Sequence, residues 1–173
     1  RRRGKNLTAP PSIRPDNIGY LRVWPVADDR VMSDAASMWE REGALPDGAS
    51  PHERGRELVI ALYDGTAMIG CLTAELAVLP RLQARFAFCR SFIAPPYRRM
   101  RLTDRLMIDG HDELGNWARG HPEERLAGCA AIYQNLLLGA RPVDPSGLTL
   151  IGYTKSGQQI RILWFDHYKL GGQ

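Results

Sequence analysis

The sequence predicts an α+β fold: a mostly antiparallel mixed sheet with a central βαβ crossover and flanking helices. Three observations lead there. Residues 57–93 hold three β-rich apolar runs joined by turn signals. A stretch of helical periodicity follows, standing between two strand-like runs, which is the order a parallel crossover needs. The end of the chain, LTLIGYTKSGQQIRILWFDHYKL, has the form of one more hairpin.

The elements follow in order. YLRVWPV (Tyr20–Val26) reads as a short strand. From Asp29 to Glu42, Val31, Ala35, Met38 and Trp39 recur at helical spacing. GALPDGASPHERGRE is loop-like, with a short helical turn around Pro51–Gly55. In ELVIALYDGTAMIGCLTAELAV two β-rich runs flank Asp64-Gly65, a tight-turn dipeptide, so this segment is a hairpin. A looser turn at Pro80 leads to a third strand, ARFAFCRSFI (Ala84–Ile93). Between Thr103 and Arg119 the positions Leu106, Met107, Gly110, Leu114 and Trp117 make one helix face, with Thr103 as its expected N-cap. Gly110 lowers helix propensity by about 1 kcal/mol, and its expected return is a close approach of helix to sheet. Glu124–Tyr133 is the next strand, QNLLLG a brief helical turn, and the closing hairpin turns at Lys155–Gln158.

A chain of 173 residues is one domain's length and long enough to bury a core. With 44% apolar and 24% charged residues, composition excludes a disordered or membrane-embedded class, and no apolar run approaches the roughly 20 residues that span a bilayer. Residues 1–19, RRRGKNLTAPPSIRPDNIG, are basic and Pro-rich with no apolar segment behind the charges. They read as a solvated arm or inter-domain linker, or else as a nucleic-acid- or partner-binding arm, preceding a domain of residues 20–173, and not as a secretory signal.

Cys71, Cys89 and Cys129 are odd in number and each lies in an apolar stretch, the pattern of buried reduced thiols and of a cytoplasmic setting. No paired-cysteine motif and no ligand spacing among His52, His111, His121 and His167 points to a metal. There is no phosphate-loop or dinucleotide fingerprint. A formal net charge of +4 favours anionic ligands, but acidic residues are spread through the chain, which argues against a nucleic-acid partner.

The positive charge that matters is concentrated in FIAPPYRRMRLTDRLM, residues 92–107, where Arg98, Arg99, Arg101 and Arg105 crowd a strand-to-helix junction. A helix start exposes unpaired N–H groups and a partial positive charge, so an anion belongs there.

This junction, within this order of elements, resembles the GNAT acyltransferase superfamily, whose fourth strand runs into a pyrophosphate-cradling loop of pattern R/Q-x-x-G-x-G/A. The resemblance in element order covers roughly residues 20–170; the motif is confined to the junction. Matching Ile93–Arg98 to the family's approach to the loop puts Arg98 at its first position, Arg101 on the first glycine and Thr103 on the second. The glycines let backbone amides approach the phosphates; here either the arginines replace those contacts by charge-assisted ones or the donor site is altered. CRSFIAPPYRR is also similar to the corresponding region of the N-acyl amino acid synthases and acyl-homoserine lactone synthases, which often draw on an acyl carrier protein.

The resemblance implies an N-acyltransferase with acetyl-CoA or another acyl-CoA as co-substrate, no metal, and a small primary amine as acceptor. Its cofactor-binding residues would be Ser91, Phe92 and Ile93 on the strand, Arg98, Arg99, Met100, Arg101, Leu102 and Thr103 in the loop, and Asn135 beside the pantetheine. Glu75, in an otherwise apolar strand, is a candidate general base if burial raises its pKa, and otherwise a solvent-facing strand residue. Tyr133, at a strand end, is a candidate acid for the leaving thiolate. The alternatives are a carrier-protein-dependent enzyme and a GNAT-like binding module without turnover.

Overall fold

The computed structural model describes residues 17–134 and 141–169. Among these residues seven strands form one sheet in the order β1-β2-β3-β4-β5-β7-β6. The first four, β1 (Ile18–Arg22), β2 (Leu58–Asp64), β3 (Ala67–Leu79) and β4 (Ala84–Ile93), are an antiparallel meander. β5 (Leu126–Tyr133) runs parallel to β4, and β7 (Gln159–Trp164) pairs antiparallel with β5, leaving β6 (Thr149–Tyr153) at the far edge. This is the expected α+β sheet with its single parallel crossover. β1 begins at Ile18, inside the stretch read as an arm; residues 1–16 of that arm lie outside the described residues, as do Asn135 and most of the QNLLLG helical turn.

Local chemistry accounts for the helices. α1 (Asp29–Glu42) spans the range its periodicity predicts; the Asp28 side chain accepts from Val31 N at 2.8 Å, and the helix closes on Gly43 at φ 56°. α2 (Pro51–Gly55) is capped by Ser50, whose hydroxyl accepts from Glu53 N. Gly65 opens the β2–β3 turn at φ 61°, a conformation glycine adopts without steric cost.

α3 (Leu102–Gly120) corrects one expectation: Thr103 is not its N-cap. Pro95–Met100 form a 3₁₀ turn, and the chain reverses at Arg101, which occupies the cap position with φ 55°, ψ 25° and makes no side-chain cap bond. Burial of Leu102 in the core moves the cap two residues back to Arg101, so Thr103 falls in the first turn.

Successive residues of a strand point to opposite faces, and the two faces carry different helices. Cys71 packs with Val31, Ala35, Met38 and Trp39 of α1. Leu72 packs with Leu106, Met107 and Leu114 of α3. A third cluster joins Leu79, Ala84 and Phe86 to Ala127, Ala130 and Ile162.

The feature that creates a site is the incomplete pairing of β4 and β5. Their register runs from Arg85↔Leu126 to Phe88↔Ala130 and stops there. Beyond it, β4 continues to Ile93 beside β3 and β5 continues to Tyr133 beside β7. The sheet therefore opens into a wedge.

Candidate active site

The wedge is a cleft of about 830 Å³. Cys89, Arg90, Ser91 and Phe92 form one strand wall, and Ala131, Ile132 and Tyr133 the other. Arg98, Arg99, Arg101 and Thr103 line its end at the start of α3, while Trp39, Leu45, Pro46 and Arg54 close it on the α1–α2 side. Ser91 and Phe92, expected from the resemblance to be cofactor-binding residues, line this cleft. Ile93, Met100 and Leu102 turn toward the core and support the cleft without lining it.

The arginines divide by role. Arg98 donates through Nε to Ile93 O at 3.0 Å and lies 6.0 Å from the Phe92 ring centre. That bond fixes its side chain across the end of β4. Arg99 makes no hydrogen bond or ion pair among the described residues and borders the cleft as an uncompensated cation. Arg101 pairs with Asp104 at 3.3 Å but is 77% exposed, so the pair contributes little to stability. Arg105 leaves the group: it binds Asp109 at 2.7 Å and sits over Tyr20.

Arg101, matched by the resemblance to the loop's first glycine, adopts the left-handed conformation that glycine favours. The chain makes a left-handed turn here with an arginine in it. The Arg101 side chain makes no cap bond to α3, so among the described residues the first-turn amides remain available to an anion.

Glu75 is a correction. Its side chain is 52% exposed and paired with Arg90 at 2.5 Å. It lies cross-strand from Phe88, where the buried run of β3 ends, so the burial expected to make it a base is absent. Arg90 also meets Glu57, which holds Arg54 at 2.8 Å.

Tyr133 does line the cleft, and its hydroxyl donates to Asp144 Oδ2. Burial, followed by this bond and the carboxylate's charge, raises the phenol pKa above its ordinary value and keeps the group protonated. The other oxygen of Asp144 accepts from Ser146 N, Ser146 Oγ and Leu148 N at 2.9, 2.6 and 3.1 Å. Sequence reasoning missed Asp144, since Asp-Pro-Ser-Gly reads as an ordinary turn; the turn is real and is built on this side chain. Among the described residues no group of His, Cys, Asp and Glu is placed to hold a metal ion, and no helix is long and apolar enough to cross a membrane.

The fold is similar to that of solved GNAT-family acetyltransferases. The ribosomal-protein-S5-alanine acetyltransferase of Vibrio fischeri superposes with a TM-score of 0.60 at 12% identity, over 91% of this chain and 98% of that one. The ribosomal-protein-S18-alanine N-acetyltransferase of Escherichia coli gives 0.54 at 15% identity, over 90% and 99%. A GNAT-family acetyltransferase of Streptococcus pneumoniae gives 0.53 at 11% identity, over 85% and 99%. No family model and no curated protein matches the sequence itself.

Proposed function

We propose that the chain is an N-acyltransferase that moves an acyl group from a coenzyme A thioester to a primary amine by direct attack. The observation that carries this reading is the wedge between β4 and β5, lined at the α3 end by three arginines. An extended pantetheine arm fits beside Cys89–Ile93, where β4 has lost its partner, and the Ser91–Ile93 backbone is the donor offered to the thioester carbonyl. The pyrophosphate would meet Arg99, Arg101 and the uncapped amides of α3, with guanidinium groups replacing part of the contact that glycines allow elsewhere. The amine would enter from the α1–α2 side, past Trp39, Leu45 and Pro46. Attack on the carbonyl forms an oxyanion that a strand N–H can stabilise.

One observation favours a second reading. Arg99 and Arg101 stand exposed at the cleft mouth, where an acidic acyl carrier protein could dock in place of free coenzyme A.

Calorimetric titration with CoA, acetyl-CoA and a long-chain acyl-CoA, on the native chain and on Arg99→Ala/Arg101→Ala, tests the proposal. Micromolar binding that weakens at least tenfold in the double variant is the expected result. Failure of every thioester to bind removes the coenzyme A enzyme and leaves the carrier-dependent enzyme or a binding module.

A further inference from the structure

Arg161 of β7 has no exposed surface, yet it carries a full charge. Its guanidinium donates to Arg141 O at 2.5 Å, Leu148 O at 3.2 Å and Pro142 O at 3.3 Å, and its Nε to Gln159 Oε1 at 3.0 Å. The same group lies 5.1 Å from the Tyr133 ring centre. Three of these acceptors belong to residues 141–148, the segment that carries Asp144. A buried cation is costly unless it is hydrogen-bonded, so the arginine and the segment hold each other in one arrangement.

We propose that Arg161 is a positioning residue: it pins residues 141–148 so that Asp144 accepts the Tyr133 hydrogen bond, leaving the phenol oxygen as an acceptor facing the cleft. Resting on the acyltransfer reading, this puts Tyr133 on the side of the amine and not of the leaving thiolate. As the amine nitrogen bonds to the carbonyl carbon, its N–H breaks and an O–H forms at Tyr133. The phenol's own proton passes to Asp144 Oδ2. The C–S bond then breaks, and the thiolate regains a proton through solvent. With the amine entering neutral, its ammonium proton already lost to solvent, the step needs no further carboxylate, which suits a cleft whose expected one, Glu75, stands outside it.

The test follows the ionisation of ring-carbon-labelled tyrosines by NMR on the native chain, with Tyr133→Phe assigning the signal, alongside calorimetric titration with acetyl-CoA. Native Tyr133 should stay protonated beyond the ordinary phenol range, about 10. Asp144→Asn should lower that midpoint, with burial still holding it above the ordinary range. Arg161→Lys keeps the charge but not the planar fork, so it too should lower the midpoint, with acetyl-CoA affinity changing less than twofold in both. An unchanged midpoint in Arg161→Lys would mean that the arginine acts by charge alone and would overturn the proposal. So would an unchanged midpoint in Asp144→Asn, which decides the matter if the lysine variant does not fold. Lowered midpoints in a chain that binds no thioester would overturn the acyltransfer reading and leave the positioning role standing.

Discussion

Leu72 of β3 lies so close beneath Gly110 of α3 that a β-carbon at position 110 would come within 2.1 Å of Leu72 Cδ2. Leu72 has no exposed surface and is surrounded by the α3 core cluster, so it has little room to withdraw. Replacing Gly110 by alanine improves helix propensity by about 1 kcal/mol, but overpacking a core costs about 1–3 kcal/mol. The clash wins. Gly110→Ala should lower the melting temperature by a few degrees, and Gly110→Ala combined with Leu72→Ala should lose less than the two separate losses added together. Additive losses in thermal unfolding would show that the two positions are not in conflict.

Arg101 offers the opposite case. A non-glycine residue in the left-handed region costs roughly 1–2 kcal/mol, and the exposed bond to Asp104 offsets little of that. Arg101→Gly should therefore raise stability by about 1 kcal/mol, whereas Arg101→Ala should not. If the arginine has taken over phosphate contact, the stabilised glycine variant will bind CoA more weakly than the native chain. Urea denaturation and calorimetry on the same two variants separate these effects.

The Cys71 thiol is fully buried against α1, and burial pushes its pKa up to about 12 from the ordinary 9.0. The folded state thus holds a proton that the unfolded chain releases first. The resulting stability is fully present below pH 9.0 and is lost as pH rises toward 12. Urea midpoints of the native chain should fall across this window. Cys71→Ala should show a shallower fall, though not a flat one, since burial and the bond to Asp34 raise Tyr63 in the same direction. Parallel curves for the two proteins would contradict the assignment.

Tyr97 ties the 3₁₀ turn to the β2–β3 hairpin by donating to Asp64 Oδ2 at 2.7 Å. Tyr97→Phe removes one hydrogen bond to a charged group, a loss of about 1.5–3 kcal/mol when such a bond is buried and less at this partly exposed site. The informative readout is local: amide exchange in residues 97–103 should accelerate while exchange in β5 stays unchanged. Uniform acceleration would mean that the bond supports the whole fold and not the loop.

Where one stretch of sequence decides its own structure, the fold was legible in advance. Periodicity placed α1 from Asp29 to Glu42, Asp64-Gly65 placed the hairpin, and the β4 limits followed from alternation between two turns. The start of α3 was misread because burial of Leu102, a tertiary contact, outweighed the capping preference of Thr103. Glu75 failed for a related reason: apolar neighbours in sequence do not fix what covers a side chain at a strand's far end. The arginine junction was visible as charge density, but its sorting into Arg98, Arg99 and Arg101 at the cleft and Arg105 away from it depends on where the helix begins. Asp144 and Arg161 were silent because their meaning comes from partners far along the chain.

The wedge also gives the sheet an edge in its middle. Ordinarily such unpaired strand backbone invites a strand from another molecule, and outer edges must be blunted by charge or proline. Here the opening is hemmed in by the arginine loop on one side and by residues 141–148 on the other. The unpaired backbone of β4 beyond Phe88 thus lies inside the molecule, bordering the cleft, and not on its outer rim.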